Sequence, residues 1–338
     1  SLVQQCCSRV QGGDQGAVRR DYEAALAYYR GAGVPPAEAA RRLDCSCLGD
    51  FYAPEDGSRW YKLDDSEKIY PLSMSRSWMA IFRVSATLRE PVVPALLQIA
   101  LLLTVRRWPF FATSVKQGFF WHYIDGTSRR FAIAPETLPP LARLRISGGS
   151  APSFRVVYAE KRVSAEFFHL LTDGTGGMAF LTTLLCEYAR LLNGRAPDCG
   201  RLAANTPPDP REWEQAFSRV PPAAPSVHFV ERFAVQMRGR LAGERPARVL
   251  HFDLNADALH AAAKARGTTV TAFLLALLSE AAHAASKPSE GRLQIQVPYN
   301  MRKLYPSATM RNFSLFCTVR IPWRDAARAE TLLPEIAR

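Results

Sequence analysis

The sequence predicts an α/β protein built as two lobes of similar plan. Alternating apolar–polar stretches and amphipathic helical stretches follow one another in the order strand–helix–strand, and that order occurs twice. A stretch rich in proline, from NTPPDP (205–210) to VPPAAPSV (220–227), separates the two occurrences. A chain of 338 residues with 48% apolar and 10% aromatic content can also fill two cores, and is too apolar for a disordered segment.

In chain order, residues 1–57 read as a helical N-terminal extension. Residues 17–30 carry Ala, Arg, Glu and Tyr at helical spacing, and Pro35-Pro36 opens a short helix over 37–43. The first lobe spans 58–194. It begins with a strand at 79–88 and a helix with a wide apolar face at 92–106. A long aromatic strand over 110–124 follows, closed by an Asp125-Gly126 turn, and an extended piece at 141–146. Residues 154–158 and 163–170 form a hairpin around Glu160-Lys161, with Val163, Ala165, Phe167 and His169 sharing one face. A helix over 178–192 ends at Asn193-Gly194. Residues 195–246 read as a linker with one helix at 212–219. The second lobe occupies 247–338, with strands at 249–254, 293–299 and 312–322 and helices at 257–266, 272–285 and 325–338. Thr268–Thr271 caps the middle helix.

The formal net charge of +12 is unevenly placed. Residues 1–57 hold six basic against eight acidic side chains, which leaves +14 on the rest. The basic residues come singly or in pairs, such as Arg106-Arg107 and Lys161-Arg162, with no recognisable nucleic-acid motif. A solvated basic surface, or one that attracts an anionic small molecule or an acidic partner, fits better than nucleic acid. Seven cysteines, an odd count in a chain of this size, do not read as a disulfide framework. Cys6-Cys7 and Cys45-x-Cys47 match no common zinc spacing, so no metal is expected. No run reaches the roughly 18–20 apolar residues of a membrane span, and no signal peptide opens the chain. The expected setting is the cytoplasm.

One stretch offers chemistry. Residues 167–180, FFHLLTDGTGGMAF, place His169 four residues before Asp173, at a strand end that runs through glycines into a helix. A histidine titrates near neutral pH and can serve as a general base; the bland alternative is a strand-end histidine and a turn-forming Asp-Gly. No nucleophile elbow accompanies it, and Cys186 and Cys317 lie in apolar patterns that suit packed thiols. The glycine spacing is not that of a dinucleotide fingerprint.

The segment HLLTDG (169–174) resembles the His-x-x-x-Asp-Gly motif of the CoA-dependent acyltransferase superfamily, which includes chloramphenicol acetyltransferase and peptide-synthetase condensation domains. Further blocks agree. WYKLDDSEKIYP (60–71), RRWPFFATSVKQGFFWHYID (106–125) and VPYNMRKLYPSATMRNFSLF (297–316) look like the bacterial alcohol acetyltransferase-like branch. GTTVTAFLLA (267–276) is similar to a helix start in the second lobe. The resemblance covers about residues 58–322. It implies a chloramphenicol acetyltransferase-like sandwich of two lobes with mixed sheets and a tunnel between them. It further implies acyl transfer from an acyl thioester, acyl-CoA or carrier-bound, to an alcohol or amine. His169 would be the general base, with no covalent acyl-enzyme and no bound cofactor. Asp173 would hold the loop through an arginine, with Arg302 the candidate and Arg311 the second choice. Gly174 and Gly177 would allow close backbone approach. The aromatic stretch 110–123 would line an acceptor channel or belong to the core. The superfamily's second lobe continues beyond the equivalent of residue 338, so an incomplete second lobe is expected. Two other readings remain: a non-catalytic, carrier-docking member of the fold, and an amide-forming condensation domain. Such domains usually carry two adjacent histidines, where this chain has Phe168-His169.

Overall fold

The computed structural model describes residues 1–10, 14–45, 60–75, 78–127, 130–145, 152–222, 234–235, 250–286 and 291–336. They divide into two compact units, the first holding Ser1–Val220 with Arg302–Phe313, the second holding chiefly Arg248–Met301 and Ser314–Arg338.

The first unit opens with α1 (Leu2–Ser8), α2 (Gln15–Gly31) and α3 (Pro36–Leu43). Val18, Tyr22, Ala25 and Tyr29 recur at helical spacing and form one buried stripe along α2. Then come β1 (Tyr61–Lys62), α4 (Ile69–Ser73), β2 (Ile81–Thr87), α5 (Pro94–Arg107), β3 (Thr113–Gln117), β4 (His122–Gly126), β5 (Ile133–Pro135), β6 (Phe154–Ala159), β7 (Arg162–Phe168) and α6 (Gly174–Asn193). Four strands make a mixed sheet in the order β2-β7-β6-β5, antiparallel except for the parallel pair β5–β6. A smaller antiparallel sheet runs β1-β4-β3.

β7 is central and is buried on both faces. Val163, Ala165 and Phe167 are inaccessible on one face, Ser164, Glu166 and Phe168 on the other. The buried Glu166 carboxylate accepts from Arg83, Arg155 and the Leu141 amide, so its charge is compensated. α5 is apolar around its whole circumference, as suits a helix enclosed by others, and packs against α2 and α6. Phe111, Phe154, Phe167 and Phe180 interlock beneath β7, with ring centroids 4.8–6.2 Å apart. This packing fixes the end of β7, where His169 lies.

The second unit contains α7 (Ala256–Ala265), α8 (Val270–Ala285), β8 (Arg292–Asn300), β9 (Ser314–Pro322) and α9 (Ala329–Ile336). The side chains of Asn255 and Thr269 cap α7 and α8, and Gly267 takes the left-handed φ of +63° that the turn between the helices requires. β8 and β9 pair antiparallel, over a core of Ala276, Leu293, Ile321, Trp323 and Leu332. Among the described residues no single helix is long and apolar enough to cross a membrane.

Several expectations need correction. The aromatic strand over 110–124 is a short 3-10 turn at Pro109–Phe111 followed by a hairpin, β3–β4, so Asp125-Gly126 lies within β4 and the reversal falls at 118–121. Its aromatics split accordingly: Phe110 and Phe111 are core, whereas Phe119 and Phe120 at the reversal are 91% and 83% exposed. Residues 141–145 form no strand, and Ile146 lies outside the described residues; the sheet takes β5 instead. Residues 250–254 are likewise not a strand, and Val249 is outside the described set. The helix expected at 212–219 is two 3-10 turns, Pro210–Trp213 and Ala216–Arg219. That stretch is no free linker, because the buried Glu212 accepts twice from buried Arg107, at 2.7 Å each. The tail helix expected at 325–338 begins with a 3-10 turn at Trp323–Ala327, and residues 337–338 are not described. The boundary expected at 247 also falls outside the described residues.

Residues 1–45 belong to the first unit. Cys6, Val10, Val18, Tyr22, Tyr29 and Leu43 belong to the same core as α5 and β7. Two of its thiols meet: Cys6 and Cys45 Sγ lie 3.4 Å apart, and the Tyr22 hydroxyl donates to Cys45 at 3.6 Å. Cys47 is outside the described residues.

Candidate active site

His169 is the first residue beyond β7. Its amide donates to the Ala80 carbonyl at 2.8 Å, which continues the β2–β7 pairing for one more bond. The chain then leaves the sheet through Leu170 and Leu171, both fully buried, and enters α6 at Gly174. The glycines 174, 176 and 177 are therefore the first turn of a helix and not a loop before it, which corrects the expected start at 178. Asp173 makes this possible. It is the N-cap, and its carboxylate satisfies free amides that glycine, a poor helix former, would otherwise leave costly.

Asp173 is 4% exposed and has no spare bonding capacity. Oδ1 accepts from the amides of Thr175 and Gly176, at 3.0 and 3.2 Å. Oδ2 accepts from Arg302 Nη1 at 2.6 Å and from the Phe313 amide at 2.9 Å. Four donors occupy the lone-pair positions of a carboxylate. Arg302 in turn donates to the carbonyls of Thr309 and Arg311, at 2.7–3.0 Å. One ion pair thus joins the start of α6 to the whole segment Arg302–Phe313. Arg311, the alternative partner, is committed elsewhere: its buried guanidinium donates to the buried Glu67 carboxylate at 2.5 and 2.9 Å.

The segment presses closely on α6. Thr172 Oγ1 donates to the Met310 carbonyl at 2.6 Å. A Cβ on Gly176 would lie 2.1 Å from Thr172 Oγ1 and 2.3 Å from the Met310 oxygen, and one on Gly177 would lie 2.8 Å from the Phe82 ring. Gly174, by contrast, has open space around it. The close approach expected at 174 and 177 therefore falls on 176 and 177. Gly176→Ala is expected to destabilise the protein by about 3 kcal/mol, the upper end of overpacking costs, because one of the two obstructing atoms, the Met310 oxygen, is backbone. Urea unfolding measures this, and an unchanged midpoint would contradict the close approach.

The His169 ring is half-buried between two aromatic rings. Tyr70 of α4 stacks on it, with centroids 5.1 Å apart and planes 6° apart, and Phe82 of β2 lies tilted at 4.9 Å. Burial lowers the pKa of His169 below the ordinary imidazole value; the ring's hydrogen bond to its own backbone and the Asp173 charge oppose the shift but do not cancel it. We assign that intraresidue bond to Nδ1–H, the only ring donor able to turn back on the carbonyl, which leaves Nε2 with the lone pair. Burial also raises the pKa of Tyr70 above the ordinary phenol value, so its hydroxyl stays protonated.

The remaining neighbour of the ring is Asn312. Its Nδ2 donates to the His169 carbonyl at 2.7 Å and lies 3.2 Å from His169 Nδ1. The Tyr70 hydroxyl is hydrogen-bonded to the same amide. Reading the sequence singled out neither Tyr70 nor Asn312. Both lie inside blocks that carry the family resemblance, WYKLDDSEKIYP and VPYNMRKLYPSATMRNFSLF, and that was the available signal.

What this arrangement can do is limited and definite. A neutral imidazole at a strand end, half open and wedged between aromatics, can accept one proton at Nε2. It has no carboxylate partner, since Asp173 is saturated, and its ring neighbours Tyr70, Phe82 and Asn312 provide no activated nucleophile.

No known family profile matches the chain, and no curated protein sequence matches it. Solved structures do. The polyketide synthase associated protein 5 of Mycobacterium tuberculosis is 15% identical, with a TM-score of 0.53 over 82% of this chain and 71% of that one. The first condensation domain of the calcium-dependent antibiotic synthetase, solved with a substrate analogue, is 16% identical, with a TM-score of 0.52 over 82% and 74%. The X-domain from teicoplanin biosynthesis is 15% identical, with a TM-score of 0.51 over 86% and 72%. The chain thus has the mixed α/β fold of condensation domains and of a polyketide synthase associated protein, the chloramphenicol acetyltransferase-like fold.

Proposed function

We propose that the protein transfers an acyl group from a thioester to an alcohol or amine, with His169 as general base. The observation that carries this reading is the placement of the His169 ring: half-buried at the strand end between Tyr70 and Phe82, its pKa lowered by burial, with the Asp173 carboxylate taken by Arg302. Such a group accepts the proton of an attacking hydroxyl or amine as it adds to the thioester carbon. It then returns that proton to the departing thiolate, so the acyl group moves in one displacement without an acyl-enzyme. A thioester is already activated, and one positioned base is worth about 10²–10⁴ in rate, roughly 3–5 kcal/mol of barrier. The basic charge of residues 58–338 suits the phosphates of acyl-CoA or the acidic surface of a carrier protein.

The blocks at 60–71, 106–125 and 297–316 favour an alcohol acceptor, as in the alcohol acetyltransferase-like branch. The likeness to condensation domains favours a second reading, amide formation between carrier-bound substrates. Against it stands Phe168, which occupies the place of a second histidine and is wholly buried. Thiol release over a panel of acyl-CoA and acyl-carrier thioesters, each with alcohol and amine acceptors, separates the two. Ester formation supports the first reading and amide formation from carrier thioesters the second; thiol release with no acceptor product rejects both.

The depressed pKa of His169 makes a further prediction. Only the neutral ring is a base, so kcat/KM holds level above the folded pKa and falls about tenfold per pH unit below it. The acid limb should be centred below 6.5, the ordinary imidazole value. Stability has the same sign. A histidine whose folded pKa is lowered favours the fold above its unfolded pKa, and that contribution is lost as pH falls through the folded pKa. An acid limb centred above 6.5 would contradict the account.

A further inference from the structure

We infer that Asn312 positions the catalytic base, by holding the His169 carbonyl so that the ring presents Nε2 and not Nδ1 to the acceptor. The inference rests on the reading of His169 as base, but its geometry is independent of any reaction. Beyond β7 the His169 carbonyl has left the strand ladder, and a buried carbonyl needs a donor. The Asn312 side chain supplies it at 2.7 Å. This assigns Nδ2, and not Oδ1, to that contact, because a second oxygen at 2.7 Å from a carbonyl oxygen would be repelled.

Asn312 is itself wholly buried and fixed from both sides. Its own carbonyl accepts from Ser66 Oγ at 2.7 Å, Arg311 before it is locked to Glu67, and the amide of Phe313 after it donates to Asp173. The amide therefore cannot follow the histidine; the histidine follows the amide. With one lone pair of the carbonyl held by Asn312, we assign the other to Nδ1–H, so that the 3.2 Å approach of Nδ2 to Nδ1 is two donors converging on one oxygen; a parent ring protonated at Nε2, with Nδ1 accepting from Asn312, would overturn the inference. The Tyr70 hydroxyl, bonded to the same amide, sets the ring plane by stacking on it. A neutral amide also has a consequence that a carboxylate at this place would not. It leaves the imidazolium unstabilised, so the proton taken from the acceptor passes readily to the leaving thiolate. The other titratable groups facing the ring are Tyr70 and Asp173, the latter bound to Arg302; Phe82 on β2 carries no charge.

The test uses the full chain labelled with ¹⁵N-histidine. Ring nitrogen shifts of His169 report both tautomer and pKa, with or without substrate. The parent should show the Nδ1–H tautomer. Asn312→Asp places a carboxylate beside the ring and should raise its pKa by about 1–3 units. Asn312→Ala should give mixed tautomers and lower kcat by about 10–100-fold with KM changed less than twofold, as expected for a misaligned base. Should neither variant fold, the parent's ring tautomer still decides: a ring protonated at Nε2 overturns the inference. Folded variants with the parent's tautomer and pKa overturn the inference. If the ring responds as expected while His169→Ala retains acyl transfer, Asn312 does hold the ring and the assignment of His169 as base is what fails.

Discussion

His169→Ala is expected to slow thioester-dependent acyl transfer by about 10²–10⁴-fold while leaving the fold intact. The size follows from the absence of a substitute. Asp173, four residues on, has all its acceptor positions filled by Thr175, Gly176, Arg302 and Phe313, and cannot turn toward an acceptor without uncapping α6. Tyr70 is held protonated by burial and cannot take a proton near neutral pH. Removing the ring costs stability only through its stacking on Tyr70 and Phe82, about 1 kcal/mol. Thiol release and thermal melting on one preparation check both halves. Activity within threefold of the parent would show that the base lies elsewhere.

Arg302→Ala is expected to destabilise the first unit by about 3–5 kcal/mol, the cost of breaking a buried ion pair from one side. The side chains of Arg302 and Asp173 are 11% and 6% exposed, so solvent screening offers little relief. The loss extends beyond the pair. The carbonyls of Thr309 and Arg311 each lose a donor, and the segment that carries Asn312 loses its anchor to α6. Activity should therefore fall together with stability, unlike His169→Ala, where stability falls by only about 1 kcal/mol. Lysine would not restore it, because one ammonium cannot reach the carboxylate and both carbonyls in the planar arrangement of a guanidinium. Urea unfolding of Arg302→Ala and Arg302→Lys tests this, and a loss below about 1 kcal/mol would mean the pair is solvated.

Residues whose structure depends on near neighbours were the legible ones. The stripe on α2, the hairpin β6–β7 and the caps at Gly194 and Thr269 all follow from local spacing. Lys116-Gln117-Gly118 marks the reversal in the sequence, but the aromatics on either side of it, Phe110-Phe111 and Phe119-Phe120-Trp121, read together as one strand because exposed aromatics at a tip carry no period. β5 has three residues, one of them proline, which is too short for alternation to show. The glycines of α6 read as a loop by propensity; the Asp173 cap and the packing of Met310 and Phe82 override that propensity. In the site, His169 and Asp173 were visible as a motif. Asn312 was not, because it meets the ring across a sequence separation of 143 residues and no local pattern encodes that contact.

The most direct test of the central claim is to incubate the protein with one acyl thioester, with and without an acceptor, and follow thiol release together with the intact mass of the protein. Direct transfer through a lone base predicts thiol release only when acceptor is present, ester or amide in equal amount, and no acyl mass on the protein at any time. Stoichiometric thiol release without acceptor, accompanied by an acyl adduct on the chain, would contradict it.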